Sequence, residues 1–162
     1  MKRTLLAAAV LLAATACSSS GSSSAKVGDA VNLTGPGGER IAATVQSIVD
    51  PATPADGTAP DPGMRLVGVQ YQLVNNGSAA YTDTPGTVRL IDAAGKVYAP
   101  AQTLPEVISD TAQGATSTGS SIPASESALD VVVFQVPVGV KPAAVQLFMD
   151  GGAGKSAKWK VG

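Results

Sequence analysis

The 162-residue chain has no histidine and a single cysteine, Cys17. Without imidazole there is no Ser-His-Asp or Cys-His catalytic set, no histidine general base, and none of the usual zinc, copper or haem ligation. With one thiol, an intrachain disulfide is excluded, so stability has to come from the core. Basic clusters are also missing. Setting aside Lys2 and Arg3, the remaining 9 Lys and Arg face 12 Asp and Glu, and no nucleic-acid partner is expected. Beyond the N-terminus helical periodicity is almost absent. A carboxylate pair or a hard oxygen-ligand metal site stays chemically open, but no spacing marks one. Nothing in the sequence calls for a cofactor, and no enzymatic activity is expected.

What is present begins with a leader. Lys2 and Arg3 form a positive start, and Thr4 to Ala14 is an uncharged run too short to span a bilayer. Leu11 to Cys17 reads L-L-A-A-T-A-C and resembles a bacterial lipoprotein signal, with Thr15, Ala16 and Cys17 matching the pattern and Ala14 standing where Leu is usual. That resemblance implies cleavage after residue 16 and a lipid on Cys17, which would attach the protein to a membrane at its extracytoplasmic face. Ala14-Thr15-Ala16 is also an ordinary A-x-A cleavage site. Both routes cut at the same bond, and only the first adds lipid. Residues 17–25 then read as a Ser/Gly tether, and residues 26–162 as one domain with a workable core.

That domain alternates at period 2. Ile41, Ala43, Val45 and Val49 share one predicted face. Val67, Val69, Tyr71 and Leu73 share another, with Gly68, Gln70 and Gln72 opposite. Val88 and Leu90 flank Arg89, and Val132, Phe134 and Val136 lie together, with Asp130 at the start of their face. Val145 and Leu147 alternate with Gln146, and Trp159 and Val161 with Lys158 and Lys160. Each is the pattern of a half-buried strand. The expected core is Val45, Val69, Tyr71, Leu73, Leu90, Phe134, Val136 and Trp159, although Trp159 could instead be an exposed anchor for a partner.

Turn signals separate the strands. Asn75-Asn76-Gly77 ends one, with Gly77 expected at positive φ. Asp92 to Gly95 predicts a tight hairpin joining Val88–Ile91 to Val97–Tyr98, and Pro137 ends the strand before it. About seven short strands divided in this way predict an all-β, antiparallel β-sandwich. Asp50 to Gly63 and Ser109 to Ser127 read as long loops.

Several motifs invite chemistry. Asp50, Asp56 and Asp61 could offer oxygen ligands to calcium, but their spacing is not that of an EF-hand, and solvated loop carboxylates are the simpler reading. Gly151 to Ser156 suggests a P-loop, yet Met149 occupies the position of the first required Gly and a strand follows, so a hairpin is expected. Ser23-Ser24-Ala25-Lys26 matches S-x-x-K only by chance within a tether. Asp130 either pairs with a basic residue or lies at the solvent end of its strand.

The order of these pieces resembles a widespread domain-of-unknown-function family of bacterial lipoproteins. The matching pieces are Val27-Gly28-Asp29, a strand ending at Asn75-Asn76-Gly77, the Leu90-Ile91-Asp92-Ala93-Ala94-Gly95-Lys96-Val97-Tyr98 hairpin, and Val132-Val133-Phe134-Gln135-Val136-Pro137. Where the family often has P-G-E-S, this chain has Pro123-Ala124-Ser125-Glu126-Ser127. The resemblance covers residues 26–161 and implies the immunoglobulin-like fold of secreted immunoprotective antigens; it supplies no catalytic residues. The functional expectation is a lipid-anchored binding module for a protein or an envelope component. The alternative is a small-ligand or calcium-binding lipoprotein using the Asp50–Gly63 loop.

Overall fold

The structure, a computed structural model, describes residues 24–35, 37–53, 59–82, 87–101, 121–149 and 155–162. Cys17, the leader, residues 18–23 of the tether, Asp56, most of the Ser109–Ser127 segment and Gly151 to Gly154 lie outside the described residues.

Two sheets pack face to face as a β-sandwich. One contains β1 (Ser24–Lys26), β11 (Ser156–Lys160), β10 (Pro142–Phe148), β6 (Val88–Asp92) and β7 (Val97–Tyr98), in that order across the sheet. The other runs β2 (Ala30–Thr34), β3 (Arg40–Val49), β4 (Met64–Asn75) and β9 (Ser127–Pro137). A small ribbon of β5 (Tyr81–Thr82) and β8 (Ser121–Ile122) completes the described strands. The strand number exceeds the expected seven because β1, β5, β7 and β8 are only two or three residues long. All pairings are antiparallel except β1 with β11, which is parallel.

The alternating residues set the core. Val67, Val69, Tyr71 and Leu73 of β4 meet Val132, Phe134 and Val136 of β9 on the inner face, facing Val88, Leu90, Val145, Leu147 and Trp159 of the other sheet. Every expected core residue is buried, and Trp159 and Phe134 have no exposed surface. Burying such apolar side chains, at roughly 25 cal/mol per Å², is the main force holding the sheets together.

Four expectations change. Ser24 and Ala25, assigned to the tether, form β1 and pair with Lys158 and Trp159. The register of β3 shifts between Val45 and Ser47, a bulge that places Ile48 on the core face and turns Val49 outward. Val49 therefore leaves the face of Ile41, Ala43 and Val45 and joins a second apolar cluster with Ala52, Leu66, Val131 and Val133. Ser121–Ile122, expected in a loop, pairs with β5, and Ile122 enters the core. Asp130 is 3% exposed and sits opposite Tyr71. Because β9 starts three residues before it, at Ser127, Asp130 is not at the solvent end of the strand.

Register also fixes which turns share an end. In one sheet Lys26 pairs with Lys160, Lys160 with Ala144, and Pro142 with Asp92, and these strand ends point the same way; Ala30, Val49, Met64 and Pro137 stand at the corresponding end of the other. The turns at Val27–Asp29, Ala93–Lys96 and Val138–Lys141 gather there with the described ends of the Asp50–Gly63 loop; this is called the far end below. The β2–β3 turn, Asn76–Ala80 and Pro123–Glu126 lie at the opposite, near end, and the chain runs into β1 from that side, Ser24 lying level with Lys158, Gln146 and Arg89.

Candidate functional site

At the far end Arg65 makes four hydrogen bonds from its five N–H donors. Its Nε and Nη2 donate to the two oxygens of Asp50 at 2.6 and 2.7 Å. Its Nη1 donates to the Pro137 carbonyl at 2.7 Å, and Nη2 also to the Val140 carbonyl at 2.6 Å. This bidentate fork clamps the end of β3 to the β9–β10 turn. The hydrogen bond that Arg65 donates to Asp50, joined by the charge of that carboxylate, raises the guanidinium pKa against a smaller opposing effect of burial. Both oxygens of Asp50 are thus engaged, and a calcium ion there would have to displace Arg65. Asp61 is exposed; its N–H donates to Gln135 Oε1 and its carbonyl accepts from Met64 N. Among the described residues no three His, Cys, Asp or Glu side chains converge as a metal site.

The β6–β7 hairpin braces itself. Asp92 Oδ1 accepts from Ala94 N and Lys96 N at 2.9 and 2.8 Å, and Oδ2 accepts from the Tyr98 hydroxyl at 3.0 Å. Gly95, at φ 84°, makes the turn that brings Lys96 back to Asp92. Lys96 Nζ lies 5.0 Å from the centre of the Tyr98 ring. Burial opposes the charge on Asp92, but the donors of Lys96, Tyr98 and Ala94 outweigh it and hold the carboxyl below its usual range. Burial, then the bond to Asp92 and its charge, push the Tyr98 hydroxyl up. The L-x-D-x-x-G-x-x-Y pattern therefore has a structural explanation: Asp92 and Tyr98 are each other's partners. Trp159 adds a third tie, its Nε1 donating to the Asp29 carbonyl at 2.8 Å, which places it in the core and not at a surface.

The near end is held differently. Buried Asn75 donates through Nδ2 to the Ala79 and Ile122 carbonyls, and its Oδ1 accepts from Gly77 N. Gly77 does not take the expected positive φ. It is needed for close approach instead, since a Cβ there would lie 3.0 Å from Asn75 Oδ1. Where the chain departs from P-G-E-S, Ser125 adopts φ 65°, a left-handed conformation that favours glycine. The segment expected to be a hairpin instead of a P-loop connects β10 and β11, which pair antiparallel, with Met149 N donating to Lys155 O.

Beside Asn75 lies a cleft of about 330 Å³ lined by Asn32, Leu33, Thr34, Arg40, Ile41 and Asn76. The β2–β3 register sets Thr34 opposite Arg40, and Asn76 N donates to the Arg40 carbonyl. Arg40 is exposed, and its side chain makes no hydrogen bond or ion pair among the described residues. Sequence reasoning missed this site. Its residues come from three segments, and the one local signal, a lone cation opening an otherwise uncharged strand, is weak.

No family model matches the chain, and no curated protein matches it in sequence. Solved structures do. The chain is similar to the yjhA protein from Bacillus subtilis at 12% identity, with a TM-score of 0.57, covering 85% of this chain and 99% of that one. It is similar to MPT63, a secreted protein from Mycobacterium tuberculosis, at 17% identity and a TM-score of 0.59, covering 85% and 96%. It is also similar to the "putative lipoprotein" ycdA from Bacillus subtilis at 10% identity and a TM-score of 0.57; the match covers 84% of this chain but 39% of ycdA. At these identities the likeness is one of fold. The chain has the β-sandwich that the strand pattern predicts.

Proposed function

We propose that this protein is a lipid-anchored, extracytoplasmic, non-catalytic module that presents the far end of its sandwich to a protein or cell-envelope partner. The observation that carries this reading is the direction of β1. The chain runs into Ser24 from the near-end side, seven residues after Cys17. Even fully extended, seven residues reach only about 25 Å. A lipid on Cys17 would keep the near end beside the membrane and direct the far-end turns outward. That outward end carries Val97 and Val138, the large hydrophobic side chains exposed among the described residues, at 55% and 69%. Exposed apolar side chains are available to a protein contact there. The shared sandwich of secreted MPT63 and of ycdA supports an extracytoplasmic place and membership of a lipoprotein family.

The test is Cys17→Ser with fractionation and mass spectrometry of the N-terminal peptide. The wild type is expected in the membrane fraction with acyl mass on Cys17, and the variant is expected to leave that fraction. A wild-type peptide without lipid, or a variant that remains with the membrane, overturns the anchor.

A further inference from the structure

We infer that the near-end cleft is a binding site for a phosphate group, with Arg40 as its anchoring cation. The lining of the cleft is chemically one-sided. It offers a guanidinium, the side-chain amides of Asn32 and Asn76 and the hydroxyl of Thr34, and no carboxylate among the described residues. The carboxylate of the neighbouring Glu39 is held in its own turn, its Oε2 accepting from Gly37 N. Leu33 and Ile41, both almost fully buried, form the apolar part of the wall.

Arg65, by contrast, has most of its donors occupied by Asp50 and two carbonyls. Arg40 has the same fork of donors and makes no such bond among the described residues. A guanidinium matches a phosphate bidentately. Amide and hydroxyl donors on the neighbouring strand and turn suit the remaining oxygens of a tetrahedral anion. The volume, about 330 Å³, is at the lower end of the range for small-ligand sites.

Two sources could supply such a group, a phospholipid headgroup or free phosphate. The cleft stands at the end from which the chain runs into β1, so a headgroup is within reach if Cys17 carries lipid. Only this choice of source rests on the proposed anchor; the anion chemistry of the cleft does not.

The experiment uses the full chain in micelles of a sugar-headgroup detergent, which carry no phosphate. Inorganic phosphate and glycerophosphoglycerol are titrated separately, with sodium chloride at matched ionic strength as control. Backbone amide NMR shifts at Thr34, Arg40, Ile41 and Asn76 are the readout. Saturable shifts with at least one phosphate probe and none with chloride are expected. Arg40→Ala should weaken binding about tenfold or more with an unchanged Tm, and Arg40→Lys should weaken it less. Tighter binding of the diester upholds the site and identifies the headgroup; binding of inorganic phosphate alone upholds it and identifies free phosphate. Absence of saturation with both probes, or equal binding by Arg40→Ala, overturns the site. Because the micelle carries no phosphate, either result stands whether or not Cys17 proves to be acylated.

Discussion

Arg65 and Arg40 lie on the same four-stranded sheet, at opposite ends, and have opposite surroundings. Arg65 commits four of its five donors to Asp50 and the carbonyls of the β9–β10 turn. Arg40 opens onto a cleft with no acidic lining among the described residues. The wider ends repeat the contrast. At the far end, three polar ties (Arg65 to Asp50, Asp92 to Tyr98, and Trp159 to Asp29) hold the turns in fixed relation. At the near end, the buried amide of Asn75 does most of that work and leaves the adjacent cation exposed. A bound charge whose partners lie within the fold serves stability. A charge without such partners contributes little to stability and is available to a ligand.

This contrast can be broken in several ways. The largest effect is expected at Trp159, because Trp159→Ala empties the core and also releases the Asp29 carbonyl. It should cost about 3–5 kcal/mol in denaturant unfolding. Arg65→Ala should come next, at about 2 kcal/mol, since it strands Asp50 and two turn carbonyls in a partly exposed site. Asp92 gives a smaller, pH-dependent effect. Its folded carboxyl titrates below the ordinary value of about 3.9. The stability it contributes is therefore complete above about pH 4 and is lost as pH falls through its folded pKa. A plot of Tm against pH should fall less steeply on the acid side for Asp92→Asn than for the wild type. Arg40→Ala should be the smallest, within about 0.5 kcal/mol of wild type. If Arg40→Ala destabilises as much as Arg65→Ala, the division between the two ends fails.

The long strands were legible because one face of each is buried, so period 2 is written into the residues from Leu66 to Asn75 and from Val132 to Val136. Strands of two or three residues are too short to carry a period: β1 begins inside the predicted tether, β8 falls inside a predicted loop, and β5 carries no pattern of its own. The bulge at Val45–Ser47 leaves no mark in composition, yet it sends Val49 to the opposite face. The Asp92–Tyr98 brace spans six residues and left a visible motif, although its structural role needed the geometry. Arg65 meets Asp50 across 15 residues and two turn carbonyls more than 70 residues away. The Arg40 cleft joins β2, β3 and the turn after β4. Such sites are products of topology, and neighbouring residues in the chain do not announce them.

The most direct test of the account is the orientation of the domain at a membrane. Single cysteines at Ala124 in the near-end turn and Ala94 in the far-end turn, both exposed, can carry the same fluorophore in the lipidated protein reconstituted into vesicles. A quencher placed on the lipid headgroups then reports proximity. The account predicts strong quenching of the Ala124→Cys label and much weaker quenching of the Ala94→Cys label. Equal quenching of the two, or stronger quenching at Ala94→Cys, would contradict it.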